Sequence, residues 1–131
     1  MTLKETIAMV EAFHNAFGIE NRHKPTAELS KAQQELRYRL MAEENDEYLE
    51  AVKNNDLVEI ADALGDQLYI LCGTILKHGL QDKIAAVFKE IQRSNMSKLD
   101  ADGKPIYRAD GKVMESDLYF KPDIKTIIEK S

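Results

Sequence analysis

Three glutamates, Glu43, Glu44 and Glu47, stand within one five-residue stretch, and two aspartates, Asp62 and Asp66, stand four residues apart further on. On a helix, side chains three and four positions apart share a face. Each group therefore presents a carboxylate cluster, and both fall in segments that also carry the apolar pattern of a helix core. In the first segment Leu36, Leu40 and Ala51 define an apolar stripe, and at about 100° per residue the three glutamates project into the same sector. A buried carboxylate costs several kcal/mol unless it is paired or bound to a cation, and clusters that offer only oxygen suit hard divalent metals.

The surrounding charge is lopsided in the same sense. From Leu40 to Leu76 nine acids (Glu43, Glu44, Asp46, Glu47, Glu50, Asp56, Glu59, Asp62, Asp66) face one base, Lys53, a balance of −8 within a chain of net −5. The remainder therefore carries +3. Solvated helices usually intersperse Lys or Arg at i+4, and here only Lys53 is available. The competing reading is an ordinary acidic surface, or a non-catalytic acidic dimerisation module, and it predicts no dependence on metal. No broad basic face for duplex nucleic acid is present.

The elements that must position these acids follow from caps and periodicity. Thr2 with Glu5 forms a capping box, and Leu3, Ile7, Val10, Phe13 and Phe17 recur at helical spacing until Gly18. Residues 18–29, with Pro25, read as a loop. Ser30 with Gln33 opens a long helix to about Asn54, and Asp56 caps a third that runs to about His78 and closes on Gly79. A fourth spans about Gln81 to Asn95. In the third helix Leu57, Ile60, Leu64, Leu68, Leu71 and Ile75 form one apolar face, and Glu59, Asp62 and Asp66 line up nearly opposite. From Ala63 to Leu76 that helix is apolar almost all round, which predicts burial and makes Asp66 an interior carboxylate. Helices apolar on more than one face exceed what four helices can cover, so a homo-oligomer, dimer or tetramer, is expected.

After the fourth helix the chain changes character. ADGK occurs twice, at 101–104 and 109–112, and Asp-Gly pairs favour tight turns, so the segment reads as an irregular or hairpin-like flap. Pro122 and Asp123 then start a short terminal helix. The fold class is all-α, one domain over 1–131, with a four-helix core, a flap and a terminal helix. Cys72, the one cysteine, sits in LYILCGTIL and reads as a small core residue; a chain without a disulfide suits a reducing compartment, the cytoplasm. No apolar run approaches the ~18 residues of a membrane span.

Taken in order, Glu43-Glu44-x-x-Glu47, then Gly65-Asp66-x-Leu68-Tyr69, then Ser94-Asn95-Met96-Ser97-Lys98, the DGK elements and Tyr119-x-x-Pro122-Asp123 resemble the all-α NTP pyrophosphohydrolase superfamily. That group includes MazG-like enzymes, phosphoribosyl-ATP pyrophosphohydrolases and dimeric dUTPases, and the likeness covers roughly residues 30–125. Its signature is EExxE on one helix and ExxD on the next. The resemblance implies Mg²⁺, with Mn²⁺ as a substitute, and hydrolysis of a nucleoside triphosphate, or a related phosphoribosyl nucleotide, to a monophosphate and pyrophosphate. Metal ligands would be Glu44, Glu47, Asp62 and Asp66, with Glu43 and Glu44 as the catalytic pair and Glu43 either a ligand or the base that orients water. Asn95, Lys98 and Lys112 would contact phosphate or sugar.

One position departs from the signature. Aligning Asp66 with the ExxD aspartate places Ala63 where the glutamate belongs, so either Asp62 substitutes for it or the motif shifts to Glu59-Ile60-Ala61-Asp62. A rival metal chemistry is the carboxylate-bridged di-iron bundle, since Glu11-x-x-His14 and Glu20-x-x-His23 both match Glu-x-x-His. Glu20 and His23 fall in the expected loop, however, and the three histidines read as surface residues.

Overall fold

The computed structural model describes residues 1–130, and it is an all-α protein with one small hairpin. Helix α1 spans Leu3–Ala16, α2 Lys31–Lys53, α3 Leu57–Lys77, α4 Ile84–Met96 and α5 Ile124–Glu129. Four of the five begin on a side chain that caps a free backbone amide: Thr2 accepts from Glu5, Ser30 from Gln33, Asp56 from Glu59 and Asp123 from Thr126. Caps of this kind contribute about 1 kcal/mol each. α4 has no side-chain cap and starts three residues later than its sequence pattern suggests. Gln81, expected inside that helix, donates its amide to the Arg22 carbonyl at 2.7 Å instead.

The described chain falls into two compact units, residues 1–82 and 83–130. In the first, α3 packs on both α2 and α1. α2 and α3 are joined by the tight turn Asn54–Asp56, where Asn55 takes a left-handed φ of 51°. Cross-helix hydrogen bonds fix their sense. Arg37 reaches Ile70 and Thr74 while Asn45 meets Gln67, so the pair runs antiparallel.

Burial in α3 differs from the sequence expectation. Cys72, Gly73, Ile75, Leu76 and Lys77 are buried as a block, but Leu57 and Val58 are each 76% exposed, and Leu64, Leu68 and Leu71 also stay open. The cause is coverage. α1 meets only the far half of α3: Phe13 stands edge-on to Tyr69 at 5.7 Å, and Lys4 and Ile7 border one pocket with Gln81 and Asp82. His14 also departs from expectation. It is 3% exposed, and its Nδ1 pairs with Asn21 Oδ1 at 2.6 Å.

In the second unit two serines of the Ser94–Lys98 segment fasten the returning chain. Ser94 Oγ donates to the Phe120 carbonyl at 2.8 Å, the Phe120 amide donates to Ser97 Oγ at 3.1 Å, and Arg93 lies over the Phe120 ring. The flap is a short antiparallel hairpin of β1 (Ile106–Tyr107) and β2 (Val113–Met114), with Ile106 opposite Met114 and Tyr107 opposite Val113. Gly103 and Gly111, of the two ADGK copies, both adopt positive φ.

Candidate metal centre

The antiparallel pairing of α2 and α3 brings residue 44 opposite residue 66. One carboxylate oxygen each from Glu44, Glu47 and Asp66 lies within 4.8 Å of the others, the one such group of acids, histidines or cysteines among the described residues. Glu44 and Asp66 are half-buried and Glu47 is exposed. Glu44 Oε2 is fully buried and has no hydrogen-bond partner. A buried acceptor left unsatisfied costs roughly 1–3 kcal/mol, and more if charged, so a carboxylate in that state calls for a proton or a cation. No ion pair among the described residues reaches Glu44, Glu47 or Asp66.

The electrostatics agree with that geometry. Burial first, then the closeness of the Glu47 carboxyl and the negative charges of Glu47, Asp66 and Asp62, push the Glu44 carboxyl up to about 7. Asp66 is also raised, by burial and then by Asp62 and Glu47. These are acids held together against their own repulsion. A hard divalent cation fits the donor set, because it would satisfy the orphaned oxygen and cancel the repulsion together.

Asp62 lies outside the three-oxygen group but acts on it through space. It lines a cleft of about 380 Å³ with Glu47, Glu50, Asn54, Asp56 and Glu59, floored by Ala51 and Ala63. Ala63, which stands at the glutamate position of the signature, is buried, and both candidates to replace it, Glu59 and Asp62, reach this same cleft. Glu43 is not gathered in. Its side chain is exposed and pairs loosely with Arg39 at 3.9 Å. Glu50 was not among the expected site residues, although its i+3 spacing from Glu47 is the signal that could have found it. Asp56, read from sequence only as a cap, is both a cap and part of the cleft wall.

A profile of the phosphoribosyl-ATP pyrophosphohydrolase family matches residues 10–95 of this chain. The chain belongs to that family. Membership supports a hydrolase of the pyrophosphohydrolase class on an all-α scaffold, the superfamily that the carboxylate order resembles. A search of curated proteins found no match. The matched span takes in the second half of α1 and nearly all of the three helices that follow, and with them every carboxylate of the cluster and the cleft.

The remaining expected residues lie in the second unit. Asn95 is exposed in the last turn of α4 and its carbonyl accepts from the Lys98 amide at 3.1 Å. Lys98 is half-buried just beyond the matched span, and Lys112 is exposed in the hairpin, its amide donating to Asp110 Oδ1 at 3.1 Å. The Glu11-x-x-His14 pattern makes no metal group among the described residues, since the His14 ring is engaged by Asn21. No described helix is long and apolar enough to cross a membrane.

Proposed function

We propose that the protein is a Mg²⁺-dependent pyrophosphohydrolase that cleaves a nucleoside triphosphate, or a phosphoribosyl nucleotide carrying a triphosphate, to the monophosphate and pyrophosphate. The observation that carries the reading is the group of Glu44, Glu47 and Asp66, one oxygen of each within 4.8 Å of the others, with Glu44 Oε2 buried and partnerless, in a chain of this family. Glu44, Glu47 and Asp66 are the inner ligands, and Asp62 completes the set from the cleft wall. A divalent cation held there would supply charge neutralisation for triphosphate oxygens and a more acidic bound water.

The protein's own part is to hold four carboxylates in place before substrate arrives. α2 and α3 are joined by a tight turn and by hydrogen bonds from Arg37 and Gln67, an arrangement that would spare the acids reorganisation at the moment of reaction. Glu44, within the cluster, is the better placed of the catalytic pair Glu43 and Glu44 to accept a proton from water. Glu43, one residue and about 100° further round α2, has the weaker geometry for that role. Asn95, Lys98 and Lys112 are the phosphate and sugar contacts in this reading. Mn²⁺ would substitute for Mg²⁺. The protein acts as a homo-oligomer in the cytoplasm.

The deciding experiment is a panel of nucleoside triphosphates and phosphoribosyl nucleotides incubated with Mg²⁺, with pyrophosphate and orthophosphate measured separately. Pyrophosphate release that EDTA abolishes is the expected result. Release of orthophosphate alone, or full turnover in EDTA, would sink it.

A further inference from the structure

Arg37 and Lys77 are 7% and 3% exposed, yet no ion pair among the described residues reaches either of them. Arg37 donates from Nε to Thr74 Oγ1 at 3.1 Å and from Nη2 to the Ile70 carbonyl at 2.9 Å, and Lys77 Nζ donates to the Glu20 carbonyl at 2.7 Å. A guanidinium has five N–H donors and an ammonium three, so most are left over, and neutral acceptors do not cancel a buried charge. Burial depresses the pKa of both; in Lys77 the negative charge of Glu20 opposes the shift, and the positive charges of Arg22 and Arg37 add to it. Space has been kept for this arrangement. A Cβ on Gly73 would stand 2.6 Å from Arg37 Nη2, so the guanidinium lies against bare helix backbone.

Both cations line one cavity of about 500 Å³, with Arg22 as a third cation and Ser30 and Gln33 of the α2 N-terminus. The first turn of α2 contains no acid, so its dipole adds to the positive potential. The one acid on the wall, Glu20, is already paired with Arg22 at 2.6 Å.

We propose that this cavity is an anion pocket for a phosphate-type group, the counter-charge that Arg37 and Lys77 lack, with Arg22 at its wall. Leu40, on its wall, lies one turn before Glu44 along α2, about 6 Å, and Arg37 lies about 10 Å before it. The phosphate is therefore either free inorganic phosphate or a phosphoryl group at the end of the substrate remote from its triphosphate. The second source rests on the pyrophosphohydrolase reading, whereas binding itself does not.

The test uses the full chain without metal, titrated with inorganic phosphate against sodium chloride of equal ionic strength, and read by calorimetry and thermal shift. Saturable phosphate binding is expected, weakened about tenfold or more in Arg22→Gln and in Lys77→Met. Lys77→Met replaces a desolvated cation by an apolar chain of similar length, so the fold should persist. Absence of saturable binding in the wild type, or unchanged binding in both variants, overturns the proposal. Steady-state kinetics then separate the sources. A KM increase in Arg22→Gln confined to substrates with a remote phosphoryl group assigns the pocket to substrate; an equal KM for all, with phosphate binding lost, assigns it to free phosphate. Phosphate binding without any pyrophosphate release would remove the hydrolase reading and leave the pocket standing.

Discussion

Gln67 Nε2 donates to Asn45 Oδ1 at 3.1 Å, and so joins α3 to α2 at the residues directly after Asp66 and Glu44. This bond holds the register that brings the two acids face to face. It is exposed, so its worth is at the low end of about 0.5–1.5 kcal/mol. Gln67→Ala is expected to keep the fold, weaken Mg²⁺ binding and lower turnover by less than about tenfold, a loss below the ~1.4 kcal/mol that tenfold represents. Calorimetric Mg²⁺ titration and initial rates on the same sample check it. A loss as large as that of Asp66→Asn would mean that Gln67 touches substrate or metal directly.

The acids themselves should behave differently. Glu44→Gln, Glu47→Gln and Asp66→Asn are expected to lose about 10²–10³ in turnover, the cost of about 3–4 kcal/mol in the barrier. Without metal their melting temperatures should equal or exceed the wild type, because repulsion among neighbouring carboxylates is relieved. Glu35→Gln, exposed on the same helix, is the control and should stay within about ±0.5 kcal/mol in stability. Near-wild-type turnover in all three variants would place the site elsewhere. Glu50→Gln as damaging as Glu47→Gln would move the metal toward the acidic cleft.

Metal binding should depend on pH in a set direction. Glu44 is raised from 4.5 to about 7, so in the metal-free protein its carboxyl binds a proton more tightly than in the unfolded chain. Its contribution to stability is present below about 4.5 and lost as pH rises through about 7, and a bound cation restores it. Protons and metal compete for the same oxygen, so Mg²⁺ affinity should weaken from pH 8 to pH 6. Titrations at the two values, at constant ionic strength, would show it. Equal affinities would remove Glu44 from the ligand set.

Glu90 carries the opposite shift. It accepts from Arg93 at 2.8 Å and from the Asp123 amide at 2.6 Å, tying α4 to the start of α5. Those bonds, the Arg93 side chain first, hold its carboxyl down to about 2 from 4.5. A depressed acid contributes stability above its unfolded value and loses it as pH falls through the folded one. Wild-type melting temperature should therefore drop more steeply between pH 4.5 and pH 2 than that of Glu90→Gln. Parallel curves for the two proteins would contradict this.

Leu57, Val58, Leu64, Leu68 and Leu71 leave large apolar side chains exposed along α3, and such patches mark interaction faces. Light scattering at micromolar concentration should report a dimer or tetramer. Leu64→Glu with Leu68→Glu should shift it toward monomer without unfolding it, since both positions are exposed in the single chain. A stable wild-type monomer would contradict the expectation.

The local part of this architecture is written in the sequence because it depends on near neighbours. Thr2, Ser30, Asp56 and Asp123 announce helix starts through side chains that bond amides three residues away, and the ADGK repeats announce a hairpin-like flap through backbone preferences of Asp and Gly. The carboxylate clusters are legible for the same reason, as are the order and class of the fold. Partnering across helices is not local. The register that sets Glu44 against Asp66 depends on how α2 and α3 slide against each other, whereas the Arg39–Glu43 pair is an i,i+4 contact within α2. Glu50 and Asp56 join the acidic cleft only once the turn at Asn54–Asp56 folds the two helices together. The exposure of the first half of α3 follows from the short reach of α1, which no pattern within α3 records. Arg37, Lys77 and His14 look like surface residues in one dimension, because charge is normally solvated. Packing of three separate segments around Gly73 and Leu76 took them out of water.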